Sequence, residues 1–136
     1  MKVFLHTNVL ASAMFGRGLC VQLFDRLIER GAAVMTTPQV LHELRRVGRD
    51  KFRVPEPELG ELLSWLGNRL VVVADGSADE VADCPDPDDA PILHGALLAG
   101  AQQFVTGDKA LLALARLEVM PILSPRTAYE RLIALG

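Results

Sequence analysis

The sequence predicts an α/β fold of three layers, in which helices cover both faces of a central parallel sheet of about five short strands. Short β-prone segments alternate with longer segments whose apolar residues recur at the spacing of an amphipathic helix. Strands separated by helices need crossover connections, and these produce parallel sheets that are covered on both sides. With 136 residues, 50% of them hydrophobic, the chain is expected to form a single domain over residues 1–136.

The elements in the first half of the chain follow from apolar spacing and from turn residues. An i, i+3, i+4 stripe of apolar residues begins at Cys20 and stops before Gly31. Thr37 and Pro38 then offer an N-cap and a first-turn proline to the helix that follows strand two. The elements predicted there are strand 2–5, helix 10–15, helix 20–30, strand 32–35, a helix from 38, a basic loop 48–55 and helix 56–66.

The second half of the chain repeats the alternation of strands and helices. Gly100 ends one predicted helix, and Ser124 with Pro125 opens the last one. The elements predicted there are strand 70–73, an acidic loop 74–88, helix 89–99, strand 103–106, helix 109–117, strand 119–123 and a helix from 125.

Charge and composition exclude several classes of protein. The formal net charge of −3 is atypical of a simple basic nucleic-acid binder. No segment reaches the roughly 18 apolar residues of a membrane span, and His6, Thr7 and Asn8 interrupt the N-terminal apolar run that a secretory signal would need. The two cysteines, Cys20 and Cys84, lack the spacing of a metal or redox motif and suit a reducing compartment. We therefore expect a cytoplasmic protein without a membrane segment.

Four residues able to bind or orient a cation are predicted to lie at one edge of the sheet. His6 ends strand one, Glu43 lies in the helix after strand two, and Asp108 follows strand four. Asp89 opens the helix that leads into strand four and is in angular register with its apolar face. Because ligands collect beyond the carboxyl ends of parallel strands, these side chains are expected to share one site.

Three carboxylates at one edge would repel one another unless a cation offsets their charge, and oxygen ligands of this kind favour Mg²⁺ or Mn²⁺. Each residue alone has a simpler explanation. Asp89 and Asp108 could be helix N-caps, Glu43 a surface residue and His6 a hydrogen-bonded core histidine. Helix capping does not explain why all four groups converge, so the joint pattern favours a metal site.

The same residues lie in motifs that resemble the PIN-domain family, and within it the VapC-like toxin ribonucleases of toxin–antitoxin pairs. The similar segments follow one another over essentially the whole chain and read VFLHTNVLASAMFGRG, LHELRRV, DPDDAPIL and VTGDKALL. In that family an Asp after strand one, a Glu in the helix after strand two, an Asp in D-x-x-I and an Asp after strand four bind Mg²⁺ or Mn²⁺. The resemblance carries these roles to His6, Glu43, Asp89 and Asp108.

The resemblance implies a metal-dependent endoribonuclease that is homodimeric and is neutralised by an antitoxin protein. Glu43, Asp89 and Asp108 would be its catalytic residues and would hold a cation that activates water to hydrolyse an RNA phosphodiester. The departure is His6, because the family reads LDTN where this chain reads LHTN. An imidazole offers one nitrogen and no negative charge, so Mg²⁺ affinity and activity should fall, and Mn²⁺ or Zn²⁺ should be relatively favoured.

Two other functions remain open at this point. One is a non-catalytic module on the same fold, which binds RNA or protein and has lost turnover through His6. The other is a phosphoryl-transfer enzyme on a doubly wound sheet, which would need an aspartate nucleophile directly after strand one, where His6 stands.

Several neighbouring residues are expected to support the site. Asn8 should either hydrogen-bond a ligand carboxylate or cap the short helix, and Thr106 is expected to act similarly. Trp65 lies outside the apolar stripe of its helix, which predicts either a buried contact with a subunit or partner, or a loosely packed surface tryptophan. Basic residues around Asp50 are expected to grip RNA phosphates, the alternative being a solvated charged face. They are Arg45, Arg46, Arg49, Lys51 and Arg53.

Overall fold

The computed structural model describes residues 1–136, which form one six-stranded sheet in the order β3-β2-β1-β4-β6-β5, together with seven helices. The strands are β1 (Lys2–Leu5), β2 (Ala33–Thr36), β3 (Val71–Val72), β4 (Gln103–Val105), β5 (Arg116–Leu117) and β6 (Met120–Leu123). The helices are α1 (Thr7–Phe15), α2 (Leu19–Glu29), α3 (Pro38–Asp50), α4 (Glu56–Arg69), α5 (Ala90–Leu98), α6 (Lys109–Leu112) and α7 (Pro125–Ala134).

The predicted α/β architecture with a parallel sheet is confirmed. Strands β3, β2, β1, β4 and β6 are all parallel to their neighbours, and a helix lies in each connection between them. The sheet has one strand more than predicted, because β5 pairs with β6 in antiparallel orientation at the edge. None of the helices combines the length and the apolar character that crossing a membrane requires.

The helix predicted over 109–117 is wrong after its first turn. Helix α6 ends at Leu112, and the chain then turns through Ala115, which has a φ of 65°, into β5. Glu118, with a φ of 51°, makes the turn between β5 and β6. Left-handed backbone at residues other than glycine carries no sequence signature, so the apolar spacing alone continued the helix too far.

The basic loop predicted over 48–55 is also wrong in part. Helix α3 runs on to Asp50, since its last turn continues the hydrogen bonding and Lys51 N–H still donates to the Val47 carbonyl. The start of α3 is confirmed, because Thr37 Oγ1 accepts a bond from Val40 N–H at 3.3 Å. The acidic loop contains two short 3-10 turns, at 78–80 and 87–89, and the second leads directly into α5.

The centre of the core is the pair of strands β1 and β4. Phe4 and Phe104 are fully buried, and their rings stack at 5.2 Å between centroids with an interplanar angle of 8°. Just beyond this pair the two strands end in polar residues, His6 after β1 and Thr106 after β4, which are both buried. The core therefore supports a polar cluster at the carboxyl edge of the sheet.

Candidate functional site

A cavity of about 360 Å³ lies at the carboxyl edge of the sheet and collects the predicted residues. All four predicted metal-binding residues line this cavity, and so does Asn8. The four are His6, Glu43, Asp89 and Asp108. Thr106 lies directly beneath them, fully buried. The cavity therefore joins side chains from β1, α3, the start of α5 and the loop after β4.

His6 is held in place from three sides. Its backbone N–H continues the sheet by donating to the Val105 carbonyl at 3.0 Å, and its ring packs 5.4 Å from that of Phe104. Its Nε2 atom lies 3.0 Å from Asp89 Oδ1. With only 5% of its surface exposed, His6 is a hydrogen-bonded histidine in the floor of the cavity.

The hydrogen-bond network assigns the proton of His6 to Nε2. Asn8 Oδ1 accepts from Gly107 N–H at 2.8 Å, which orients the Asn8 amide so that its Nδ2 donates to Thr106 Oγ1 and contacts His6 Nδ1. Thr106 Oγ1 also accepts from Asp108 N–H, so its own hydroxyl proton is directed at His6 Nδ1, 2.9 Å away. Nδ1 is thus an acceptor, and Nε2 donates to Asp89.

Asn8 takes neither of its two predicted roles. It does not bond a carboxylate, and it does not cap α1, which begins at Thr7. Instead its amide connects the His6 ring to the loop after β4. Thr106 likewise contacts the His6 ring and the Asp108 backbone rather than a carboxylate group.

The capping explanation holds for Asp108 and fails for Asp89. Asp108 Oδ1 accepts from Ala110 N–H and Leu111 N–H, at 2.8 and 3.2 Å, and so caps α6. Asp89 occupies the residue before α5 but makes no capping bond, whereas Asp86 caps the preceding 3-10 turn by accepting from Asp88 N–H. Asp89 is only 7% exposed and bonds His6 instead. Its position therefore needs an explanation other than capping.

Glu43 is half-buried and bonded to the residue next to His6. Thr7 donates its hydroxyl to Glu43 Oε1 at 2.6 Å, which ties α3 to the start of α1. Thr7 was missed by the sequence reasoning, although a hydroxyl residue beside a strand end gave a local signal. Its bond turns Glu43 toward the cavity instead of leaving it as a free surface residue.

Each of the three carboxylates has one committed oxygen and one without a protein partner. Glu43 Oε2, Asp89 Oδ2 and Asp108 Oδ2 accept no hydrogen bond, and none of them is sealed from solvent. The donor type therefore fits Mg²⁺ or Mn²⁺, which prefer carboxylate oxygens and water. However, no group of three or more His, Cys, Asp or Glu side chains stands close enough together to hold an ion directly. Both His6 nitrogens are committed to protein partners.

The connected chain Asp89–His6–Thr106 has the order of a hydrolase triad but cannot work as one. Thr106 is fully buried and its hydroxyl already receives two hydrogen bonds, so no substrate reaches it. A cysteine nucleophile is equally unsuited. Burial first, and then the negative charges of Asp89, Asp86 and Asp108, raise the pKa of the Cys84 thiol, which keeps it protonated.

The five basic residues predicted to contact RNA are divided by the structure. Arg46 and Lys51 line the cavity, together with Phe52. Arg45 pairs with Glu56 at 2.6 Å, and Arg49 pairs with Asp50, whose pKa the Arg49 guanidinium lowers by hydrogen bonding. Arg53 is exposed and does not line the cavity. Phe52 was missed because it lay inside a run that was considered only for its charge.

Replacing Thr106 with valine should destabilise the protein by about 1–3 kcal/mol, because Asp108 N–H and Asn8 Nδ2 lose a buried acceptor. Urea unfolding measures the change. Thr106→Ser keeps the hydroxyl and is the matched control, which should lose clearly less. Equal losses in the two variants would mean that the methyl group, which only serine lacks, contributes as much as the hydroxyl group.

Comparisons with known proteins agree with this architecture. No curated protein matches the chain closely in sequence. A chain in the crystal structure of VapBC2 from Rickettsia felis bound to a DNA fragment from their promoter is similar, with a TM-score of 0.67 and 16% identity over 91% of this chain and 98% of that one. PAE2754 from Pyrobaculum aerophilum gives 0.67 and 19% over 98% of this chain and 90% of that one.

A third similar structure is FitAcB from Neisseria gonorrhoeae, with a TM-score of 0.59 and 16% identity over 91% of this chain and 98% of that one. At these identities the three structures show a shared fold. The sequence model of the PIN domain matches residues 2–110, which include all the residues of the cavity. The chain therefore belongs to the PIN-domain family.

Proposed function

We propose that this protein is a metal-dependent endoribonuclease, weakened by His6, and the toxin of a toxin–antitoxin pair. PIN domains are in general nucleases, which supports a nuclease at the level of the family. The observation that carries the finer proposal is the cavity, where Glu43, Asp89 and Asp108 each present one uncommitted oxygen. Hydrolysis by a Ser, Thr or Cys nucleophile has no comparable support, since Thr106 is fully buried and the pKa of the Cys84 thiol is raised.

Because the three carboxylates stand too far apart to hold an ion directly, a cation in this cavity would be held by Glu43, Asp89 and Asp108 in part through water molecules. When bound, it would supply a water of lowered pKa and offset the charge of the phosphodiester. The protein residues provide the orientation. Thr7 holds one oxygen of Glu43, the N-terminus of α6 holds one oxygen of Asp108, and His6 holds one oxygen of Asp89. In each case the remaining oxygen is the one that is available for a ligand.

His6 explains why we expect weak activity. Where the family has a fourth carboxylate, this chain has an imidazole. Its Nε2–H donates a hydrogen bond to Asp89, and its Nδ1 accepts one from the Thr106 hydroxyl. It adds no negative charge for a cation, and it ties up part of Asp89. The same two contacts favour the alternative function, a non-catalytic RNA- or protein-binding module on the PIN fold.

The test of the proposed function compares the natural protein with Asp108→Asn on labelled single-stranded RNA in Mg²⁺ and in Mn²⁺. Asparagine preserves the cap of α6 but removes the charge, so stability should stay close to that of the natural protein while cleavage falls about 100-fold. Mn²⁺ should also raise the melting temperature of the natural protein more than that of the variant. If both proteins are inert and Mn²⁺ moves neither melting temperature, the proposed nuclease function is refuted, and the non-catalytic binding module is the alternative to test next.

An antitoxin partner and a homodimer belong to the same proposal. The resemblance of the motifs to toxin–antitoxin pairs supports the partner, and so does the similar fold of the VapBC2 chain. Trp65 supports a subunit contact, because it is 42% exposed on α4, beside Phe24 and with the Arg69 guanidinium 4.9 Å above its ring. Light scattering of the purified chain checks the dimer, and the mass of one chain would contradict it.

A further inference from the structure

We propose that Arg46, Lys51 and Phe52 form a nucleotide subsite, in which Phe52 stacks on an unpaired RNA base and the two cations grip the neighbouring phosphates. The proposal rests on the proposed ribonuclease function and adds to it the part of the substrate that is recognised. These three side chains, called here the α3-end wall, line the same cavity as the three carboxylates.

The α3-end wall lies next to the acidic groups because one helix carries both. Arg46 follows Glu43 by one turn of α3, so the two side chains lie on the same face of the helix. Phe52 stands just past the end of α3, where its N–H donates to the Val47 carbonyl at 3.3 Å. A cation held by the carboxylates and a base held by Phe52 would therefore sit side by side in one cavity.

The two cations of the α3-end wall have no carboxylate partner. The ion pairs of this region are Arg45 with Glu56 and Arg49 with Asp50, and both lie outside the cavity. Arg46 and Lys51 are exposed and make no ion pair, so they can neutralise an incoming phosphate without first breaking a salt bridge. The three carboxylates of the cavity alone would repel the RNA polyanion, and the positive charges of Arg46 and Lys51 offset that repulsion.

Phe52 has the support that a stacking platform needs. Phe15 packs against its ring at 5.2 Å between centroids, and Phe15 in turn lies so close to Gly48 that a Cβ there would meet its ring at 2.8 Å. Lys51 Nζ lies 5.7 Å from the Phe52 centroid on a flexible, exposed stem that can move to a phosphate when a base takes its place. Aromatic rings that are held in this way beside cations bind unpaired bases, which expose their faces only in single strands.

The experiment measures binding without cleavage. A short fluorescein-labelled 2′-O-methyl oligonucleotide is titrated in EDTA, so that neither metal nor turnover contributes, and a second probe of the same length carries abasic sites. Phe52→Leu should lower the affinity for the first probe about tenfold and leave the affinity for the abasic probe unchanged, because leucine keeps apolar volume but has no aromatic face on which a base can stack. Circular dichroism checks that the variant is folded.

The charged residues provide a second, independent readout. Lys51→Gln and Arg46→Gln should each reduce the slope of log affinity against log salt by about 0.7, the value for one phosphate contact to a single strand. Arg49→Gln is the matched control, since Arg49 is on the same helix but paired with Asp50, and its slope should not change. Both positions tested are exposed, so loss of folding does not interfere.

The proposal is overturned if the first probe does not bind, if Phe52→Leu binds both probes as the natural protein does, or if Arg49→Gln lowers the slope as much as the other two. The last result would mean a general polyanion surface. These outcomes are separate from those of the cleavage test. If the protein cleaves RNA but Phe52→Leu does not change binding, the nuclease function stands and the subsite is refuted. If Phe52→Leu weakens binding but the protein never cleaves RNA, the subsite stands and the nuclease function is refuted.

Discussion

The variant His6→Asp should cleave single-stranded RNA roughly 100-fold faster than the natural protein in Mg²⁺ or Mn²⁺. The substitution removes the Nε2 donor that occupies Asp89 Oδ1 and adds a fourth carboxylate to the cavity. More negative charge around the cation raises its affinity, and the freed Asp89 oxygen becomes a further ligand. Single-turnover cleavage of a labelled RNA at several metal concentrations measures the gain and separates affinity from rate.

The matched control for this gain is the double variant His6→Asp with Asp108→Asn. If the new activity depends on the carboxylate cluster, the second change should remove it, and the folded state should persist because asparagine still caps α6. A His6→Asp protein that neither cleaves nor binds Mn²⁺ would contradict the metal site. Activity that survives in the double variant would place the reaction elsewhere in the molecule.

Phe104→Ala should lower the free energy of unfolding by about 3–5 kcal/mol. Phe104 is fully buried, stacks on Phe4 and supports the His6 ring, so the change opens a cavity directly beneath the polar cluster. Domains of this size are stable by only about 5–15 kcal/mol, so this loss is a large share of the total. Urea denaturation followed by circular dichroism measures it.

Leu98→Ala is the control for that loss, because Leu98 is 70% exposed at the end of α5 and should change stability by less than about 0.5 kcal/mol. A loss below about 1 kcal/mol in Phe104→Ala would mean that neighbouring side chains refill the space. In that case the stacked rings of Phe4 and Phe104 would not provide the structural support for the site that their contacts indicate.

The parts of the fold that have local signals were predictable. Strand β1 was predicted with its observed bounds, and Thr37 with Pro38 marked the start of α3 correctly. The hairpin of β5 and β6 was not predictable, because its turn uses left-handed backbone at Ala115 and Glu118. Helix α3 was predicted too short since its charged end was mistaken for a loop.

The carboxylates of the cavity were predictable, but Thr7, Phe52 and the contacts among the side chains were not. The order of strands and helices was enough to bring Glu43 in the helix after β2, Asp89 before α5 and Asp108 after β4 to one edge. The bond between His6 and Asp89, in contrast, joins residues 83 positions apart and depends on the tautomer that Thr106 and Asn8 impose. Which aspartate caps a helix was also not predictable, since Asp108 caps α6 whereas the Asp89 carboxylate bonds His6 instead of capping α5.

The hydrogen bond between His6 and Asp89 affects how far the stability of the folded protein depends on a bound cation. In a cavity lined only by carboxylates, a bound cation offsets the electrostatic repulsion among them. Without the cation, that repulsion destabilises the folded protein. Here a side chain of the protein itself holds the start of α5 against the end of β1. We therefore expect the natural protein to be less dependent on divalent cations for its integrity than the His6→Asp variant. His6, which we expect to weaken catalysis, would then also make the stability of the folded site less dependent on a bound cation.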